Sequence, residues 1–194
     1  MNPLERRVTA GPVELRIEGE QRSLIGYAAV FNQEAVIGEF FRELIEPGAF
    51  DEALTTDDVR ALFNHDPSLI LGRNTAKTLR LSSDATGLRY EIDPPATSYA
   101  ADLVVSVQRG DVSQSSFAFR VLEETWVNKT EATGLPLRRI RRVSLYDVSP
   151  VTYPAYEGTS VSARAEEVAR AVMPVPFVTD PALRHRWAIL EAEC

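Results

Sequence analysis

In this chain apolar residues recur chiefly at every second position, a period that builds pleated strands rather than a helical bundle. Val13, Leu15 and Ile17 alternate with Glu14, Arg16 and Glu18, and a turn at Gly19-Glu20-Gln21-Arg22 leads into Leu24 to Asn32. There Gly26, Ala28 and Ala29 leave room for a neighbouring backbone. Strands are also expected over Glu39 to Ile45, Val59 to His65, Leu79 to Leu81 paired with Leu88 to Ile92, the stretch Asp111 to Phe119, and Arg138 to Val148. Helical spacing is confined to Ala49 to Leu54, to Tyr99 to Arg109 between a Ser98 cap and a Gly110 stop, and to Val161, Ala165, Val168 and Val172 after Thr159. Roughly eight strands thus follow one another against three or four helices, with little strand-helix-strand rhythm. That predicts an α+β fold, a mostly antiparallel barrel surrounded by helices.

Length and charge narrow the function. The 194 residues suffice for one domain with a tail, read as an extension over 1–12, a domain over 13–172 and a tail over 173–194 that carries an amphipathic stretch near Trp187, Ile189 and Leu190. A formal charge of -7 without a long basic run argues against a nucleic-acid partner. No run approaches the roughly 18 apolar residues of a membrane span, and Met1 to Arg7 lacks the apolar core of a signal peptide. The one cysteine, Cys194, allows no intramolecular disulfide, so cytoplasmic folding is expected. Two histidines and one cysteine make a poor metal set, and no glycine-rich phosphate loop is present, so neither metal nor cofactor is expected.

Chemistry gathers at three places. Ser113, Ser115 and Ser116 lead into Phe117-Ala118-Phe119, and hydroxyls in a strand interior bring little apolar area, which suggests that one is kept for its oxygen. A hydrolytic serine requires a base, and the base requires an anion to hold its ring. His65, where Asp66-Pro67 ends a strand, is the better base; His185 lies between Arg184 and Arg186, which disfavour its protonation. On the two-residue period Asp147 shares a face with Val143 and Leu145, and a carboxylate there must have a partner, either a histidine or one of the nearby arginines. Edge-strand serines and a structural histidine would account for the same residues individually.

Five blocks together carry a resemblance. Gly26-Tyr27-Ala28-Ala29-Val30-Phe31, Glu46-Pro47-Gly48-Ala49-Phe50, Leu62-Phe63-Asn64-His65-Asp66-Pro67 with Leu71-Gly72-Arg73, Gly110 to Phe119, and Leu145 to Tyr156 resemble, in order, the blocks of the tailed-bacteriophage prohead protease family. The resemblance implies a fold similar to the herpesvirus assembly proteases and a serine endopeptidase that removes scaffolding segments from the major capsid protein, and cleaves itself, inside the assembling prohead in the host cytoplasm. It places the base on His65, the nucleophile on Ser116 and the acid on Asp147. Gln114-Ser115 stands where family members often carry Gly-Met, which keeps Ser115 as a rival nucleophile. The arginine-rich stretch Arg138 to Arg142 is the candidate for binding the oxyanion, as an arginine-rich loop does in the related viral proteases. A homodimer is compatible with the apolar helix faces. The alternative is a non-catalytic scaffold or capsid-assembly chaperone on the same fold; a small-ester hydrolase is a third reading.

Overall fold

Two sheets and two helices make up the described part of the computed structural model, residues 3–9, 12–19, 21–38, 40–128 and 134–153. The strands are β1 (Glu5–Thr9), β2 (Glu14–Glu18), β3 (Gln21–Val30), β4 (Ala35–Ile37), β5 (Phe41–Ile45), β6 (Arg60–Phe63), β7 (Asp66–Arg73), β8 (Leu79–Ser83), β9 (Gly87–Ile92), β10 (Gln114–Val127) and β11 (Leu137–Val151). The helices are α1 (Asp51–Thr56) and α2 (Ser98–Arg109). One sheet runs β1-β10-β11-β5-β4, with β6 beside β11 and β7 beside β6; the other runs β2-β3-β9-β8. The helix expected after Thr159, the stretch near Trp187, and the residues His185 and Cys194 lie outside the described residues.

The expected closed barrel is not what forms. The hydrogen-bond ladder is open: the two sheets pack face to face through the core, where Tyr90 OH meets Ser115 Oγ at 2.7 Å, and share backbone bonds at their margins, with Val13 N donating to Ser113 O at 3.2 Å, Asn32 N to Ile45 O at 3.0 Å, and Thr78 N to Arg73 O at 3.3 Å in the turn from β7 to β8. Most pairings are antiparallel, but β11 lies parallel to both β5 and β6. Between those two partners the edge of β11 is satisfied from α1 and its flanks. Val143 N donates to Ala49 O at 3.1 Å and Leu145 N to the Asp57 carboxylate at 2.7 Å.

Alternation puts Phe117, Phe119 and Val121 of β10 inward, into the core they share with Phe50, Tyr90 and the buried face of α2, Ala100, Leu103, Val104 and Val107. Phe117 stacks on Phe119 at 4.7 Å between centroids and meets the edge of Phe50 at 5.7 Å. Gly26 lies beneath the Tyr90 ring, where an added Cβ would come within 2.5 Å of the hydroxyl, so the group that approaches closely there is a side chain and not the expected neighbouring backbone. The N-terminal cap of α2 is Thr97 rather than Ser98, and Gly110 ends the helix at φ 82.

Neither β1 nor β7 is apparent from the sequence. In β7, Pro67 is tolerated because the strand has a strand partner, β6, on one side alone. For β1, the inward side chains are charged: Arg7 bonds Glu43 at 2.6 Å and Glu5 at 2.7 Å, and Arg138 bonds Glu5 at 2.8 Å, Glu43 at 3.0 Å and Glu124 at 2.6 Å. Burial pushes the Glu5 carboxyl up, but the guanidinium groups of Arg138 and Arg7 outweigh it and hold the group below its ordinary 4.5. A lowered folded value contributes stability above the unfolded value and loses it as pH falls through the folded one. Thermal melts of wild type and Glu5→Gln are therefore expected to differ most near neutrality and to converge as pH falls through the lowered value of the Glu5 carboxyl.

Candidate active site

His65 occupies a two-residue hairpin turn. Phe63 pairs with Asp66, and the two residues between them, Asn64 and His65, have φ of 53 and 57, as the tight turns of right-twisted hairpins require. Asparagine accepts this conformation readily, whereas for histidine it stores on the order of 1 kcal/mol of strain. The turn is therefore pinned. Asn64 N donates to Pro150 O at 3.0 Å, and the Asn64 side-chain oxygen accepts from Thr152 N at 2.9 Å. Asn64→Ala removes that acceptor and puts a less tolerant residue at positive φ; a loss of about 1 to 2 kcal/mol is expected from denaturant titration.

Ser116 and Asp147 reach the same ring from neighbouring strands. Ser116 on β10 lies across the ladder from Ser149 on β11, and Ala118 across from Asp147. Phe119 then pairs with Leu145, so Tyr146 is an extra residue on β11. This bulge shifts the alternation. Asp147 does not share a face with Val143 and Leu145, as the unbroken period implied; it lies with Ser149 on the face that carries Ser116, while Val148 joins the core.

On that face His65 Nε2 is 2.6 Å from Ser116 Oγ, and His65 Nδ1 is 2.6 Å from Asp147 Oδ1. Ser149 Oγ donates to the same Asp147 oxygen at 2.8 Å and lies 3.4 Å from Nδ1. Ser116 and Ser149 are fully buried, and the His65 side chain is only 6% exposed. An ionised carboxylate only accepts, so Nδ1 carries the proton and Nε2 is left as the acceptor for the serine hydroxyl. Among the described residues no arginine or lysine pairs with Asp147. Asp66, next to His65 in sequence, is engaged elsewhere: the Ser68 hydroxyl at 2.6 Å and the Ser68 N–H at 2.8 Å hold its carboxyl below the usual range.

Ser115 points the other way. Its hydroxyl meets Tyr90 OH at 2.7 Å inside the core, and burial pushes the Tyr90 hydroxyl up, which keeps it neutral. The arginines of β11 are committed as well. Arg138 belongs to the β1 cluster, Arg139 bonds Glu46 at 2.6 Å, Arg141 faces Glu46 and Glu123, and Arg142 bonds Glu52 at 2.9 Å. Four residues of strand lie between Arg142 and Asp147, on the order of 15 Å from one to the other, so the stretch expected to bind an oxyanion sits away from the serine. Two residues of the site drew no attention in the sequence. Ser149 could have been found two positions after Asp147, on the strand period, and Asn64 as a turn former beside the histidine.

Among the described residues no group of side chains could hold a metal ion, and no helix is long and apolar enough to cross a membrane. No curated protein matches the sequence. The fold is similar to that of the bacteriophage T4 capsid assembly protease, with a TM-score of 0.50 and 11% identity over 78% of this chain and 98% of that one. At that identity the likeness concerns the fold alone. The sequence itself goes further: the description of the caudovirus prohead serine protease matches residues 12–173, a span that includes His65, Ser116, Asp147 and nearly all of the described strands, and the chain belongs to that family.

Proposed function

We propose that the chain is a serine endopeptidase with a His65, Ser116 and Asp147 triad that trims the scaffolding segment from the phage major capsid protein, and cleaves itself, inside the assembling prohead in the host cytoplasm. One observation carries the reading: a single buried imidazole is hydrogen-bonded at 2.6 Å to a serine hydroxyl through one nitrogen and to a carboxylate through the other. A non-catalytic scaffold has no need of a serine held on an imidazole.

In the proposed reaction Ser116 Oγ attacks the scissile carbonyl as its proton passes to His65 Nε2. The imidazolium then protonates the leaving amine, which departs and leaves an acyl-serine. Water, deprotonated by the same nitrogen, releases the second product and restores Ser116. Asp147 holds the ring in the Nδ1–H tautomer and faces the positive charge as it forms. Ser116 has no exposed surface, so whatever lies over it must move aside before a peptide can enter.

The test is incubation with the major capsid protein still carrying its scaffolding segment, followed by intact-mass measurement of both proteins. The reading predicts a shortened capsid protein and a shortened protease with new termini. An unchanged capsid protein beside a folded wild-type chain would favour the scaffold.

A further inference from the structure

Ser149 belongs to the buried polar group, yet the acyl-transfer steps make no use of it. Its hydroxyl has no exposed surface and donates at 2.8 Å to Asp147 Oδ1, the same oxygen that accepts from His65 Nδ1 at 2.6 Å. The backbone beneath is fixed. Val148, between the two residues, is fully buried in the core, and Ser149 lies directly across the β10–β11 ladder from Ser116. The bulge at Tyr146 is what turns Asp147 onto this face, and a carboxylate at a bulge is free to swivel about its side-chain torsions unless something holds it. Among the described residues the side-chain donors on Asp147 are His65 and Ser149, with no arginine or lysine beside it. The His65 ring changes charge in every turnover, as it gains and loses a proton. Ser149 does not.

We infer that Ser149 is a positioning residue for the reaction: its hydroxyl fixes the Asp147 carboxylate, and through it the aim of the His65 ring at Ser116. The inference rests on the triad reading above. It separates Ser149 from a residue that merely fills space, because a hydroxyl that acts through the carboxylate affects the chemical step and leaves substrate binding alone.

The experiment measures kcat and KM for cleavage of the major capsid protein by wild type, Ser149→Ala, Ser149→Cys, Ser149→Thr and Ser116→Ala. Ser149→Ala is expected to lower kcat about tenfold with KM unchanged, the size of one hydrogen bond to a charged group. Ser149→Cys leaves no void, its sulfur being somewhat larger than the oxygen, but offers only a weak donor and should lose rate as alanine does. Ser149→Thr keeps the hydroxyl and should recover most of the rate. Wild-type kcat in a folded Ser149→Ala or Ser149→Cys, or a loss confined to KM, would overturn the inference and leave the triad standing if Ser116→Ala is inactive. Full activity in Ser116→Ala would overturn the triad reading and the inference with it.

Discussion

Ser116→Ala is expected to give a folded chain whose cleavage of the capsid protein, and of itself, falls by roughly ten-thousand-fold or more, because the attacking oxygen is gone while the fold loses only one small polar atom. The neighbouring serine supplies the contrast. Ser115→Ala should keep the activity and lose stability, by about 1 to 3 kcal/mol, because the buried Tyr90 hydroxyl is left without the partner it now has at 2.7 Å. Processing assays and thermal melts on the two variants therefore cross over. If Ser115→Ala were the inactive one and Ser116→Ala the active one, the nucleophile would be misassigned.

Asp147→Asn should lower kcat by roughly ten-thousand-fold with little change in fold. The amide matches the carboxylate in shape, but His65 and Ser149 both bond the same Asp147 oxygen, so an NH2 placed there faces both groups and Ser149 must accept from it instead of donating. Its NH2, when turned toward His65, donates where the carboxylate accepted, which favours the tautomer with the proton on Nε2, the nitrogen that must take it from Ser116. Steady-state kinetics on the purified variant measures this directly. Activity within a few-fold of wild type would mean that Asp147 is a structural partner of His65 and contributes nothing to the reaction.

What could be read from the sequence, and what could not, follows from the range over which each signal acts. The strands around Val13, Leu24, Leu88 and Phe117 are visible because their two-residue period is local. The convergence of residues 65, 116 and 147 came from the resemblance of whole blocks, since nothing in the spacing of a lone histidine and a lone aspartate joins them. β1 stayed hidden because the residues it turns inward, Glu5 and Arg7, are charged and find their partners on β5 and β11, far along the chain. The bulge at Tyr146 has no local marker either, yet it decides which face Asp147 occupies.

The choice between Ser115 and Ser116 depends on the phase of β10 against the second sheet, set by Tyr90 and Gly26 through packing that no alternation pattern encodes. The barrel expectation failed for a similar reason. Counting strands cannot tell a closed ladder from two open sheets packed on one core, because closure depends on strand tilt and register.

The central claim is that the histidine makes one serine reactive. It is tested most directly by adding a fluorophosphonate probe while the chain is processing capsid protein, then mapping the labelled peptide by mass spectrometry in wild type and His65→Ala. The account predicts a single adduct on Ser116 in wild type and none in the variant. An adduct on Ser115 or another residue, or labelling of Ser116 that persists without the imidazole, would contradict it.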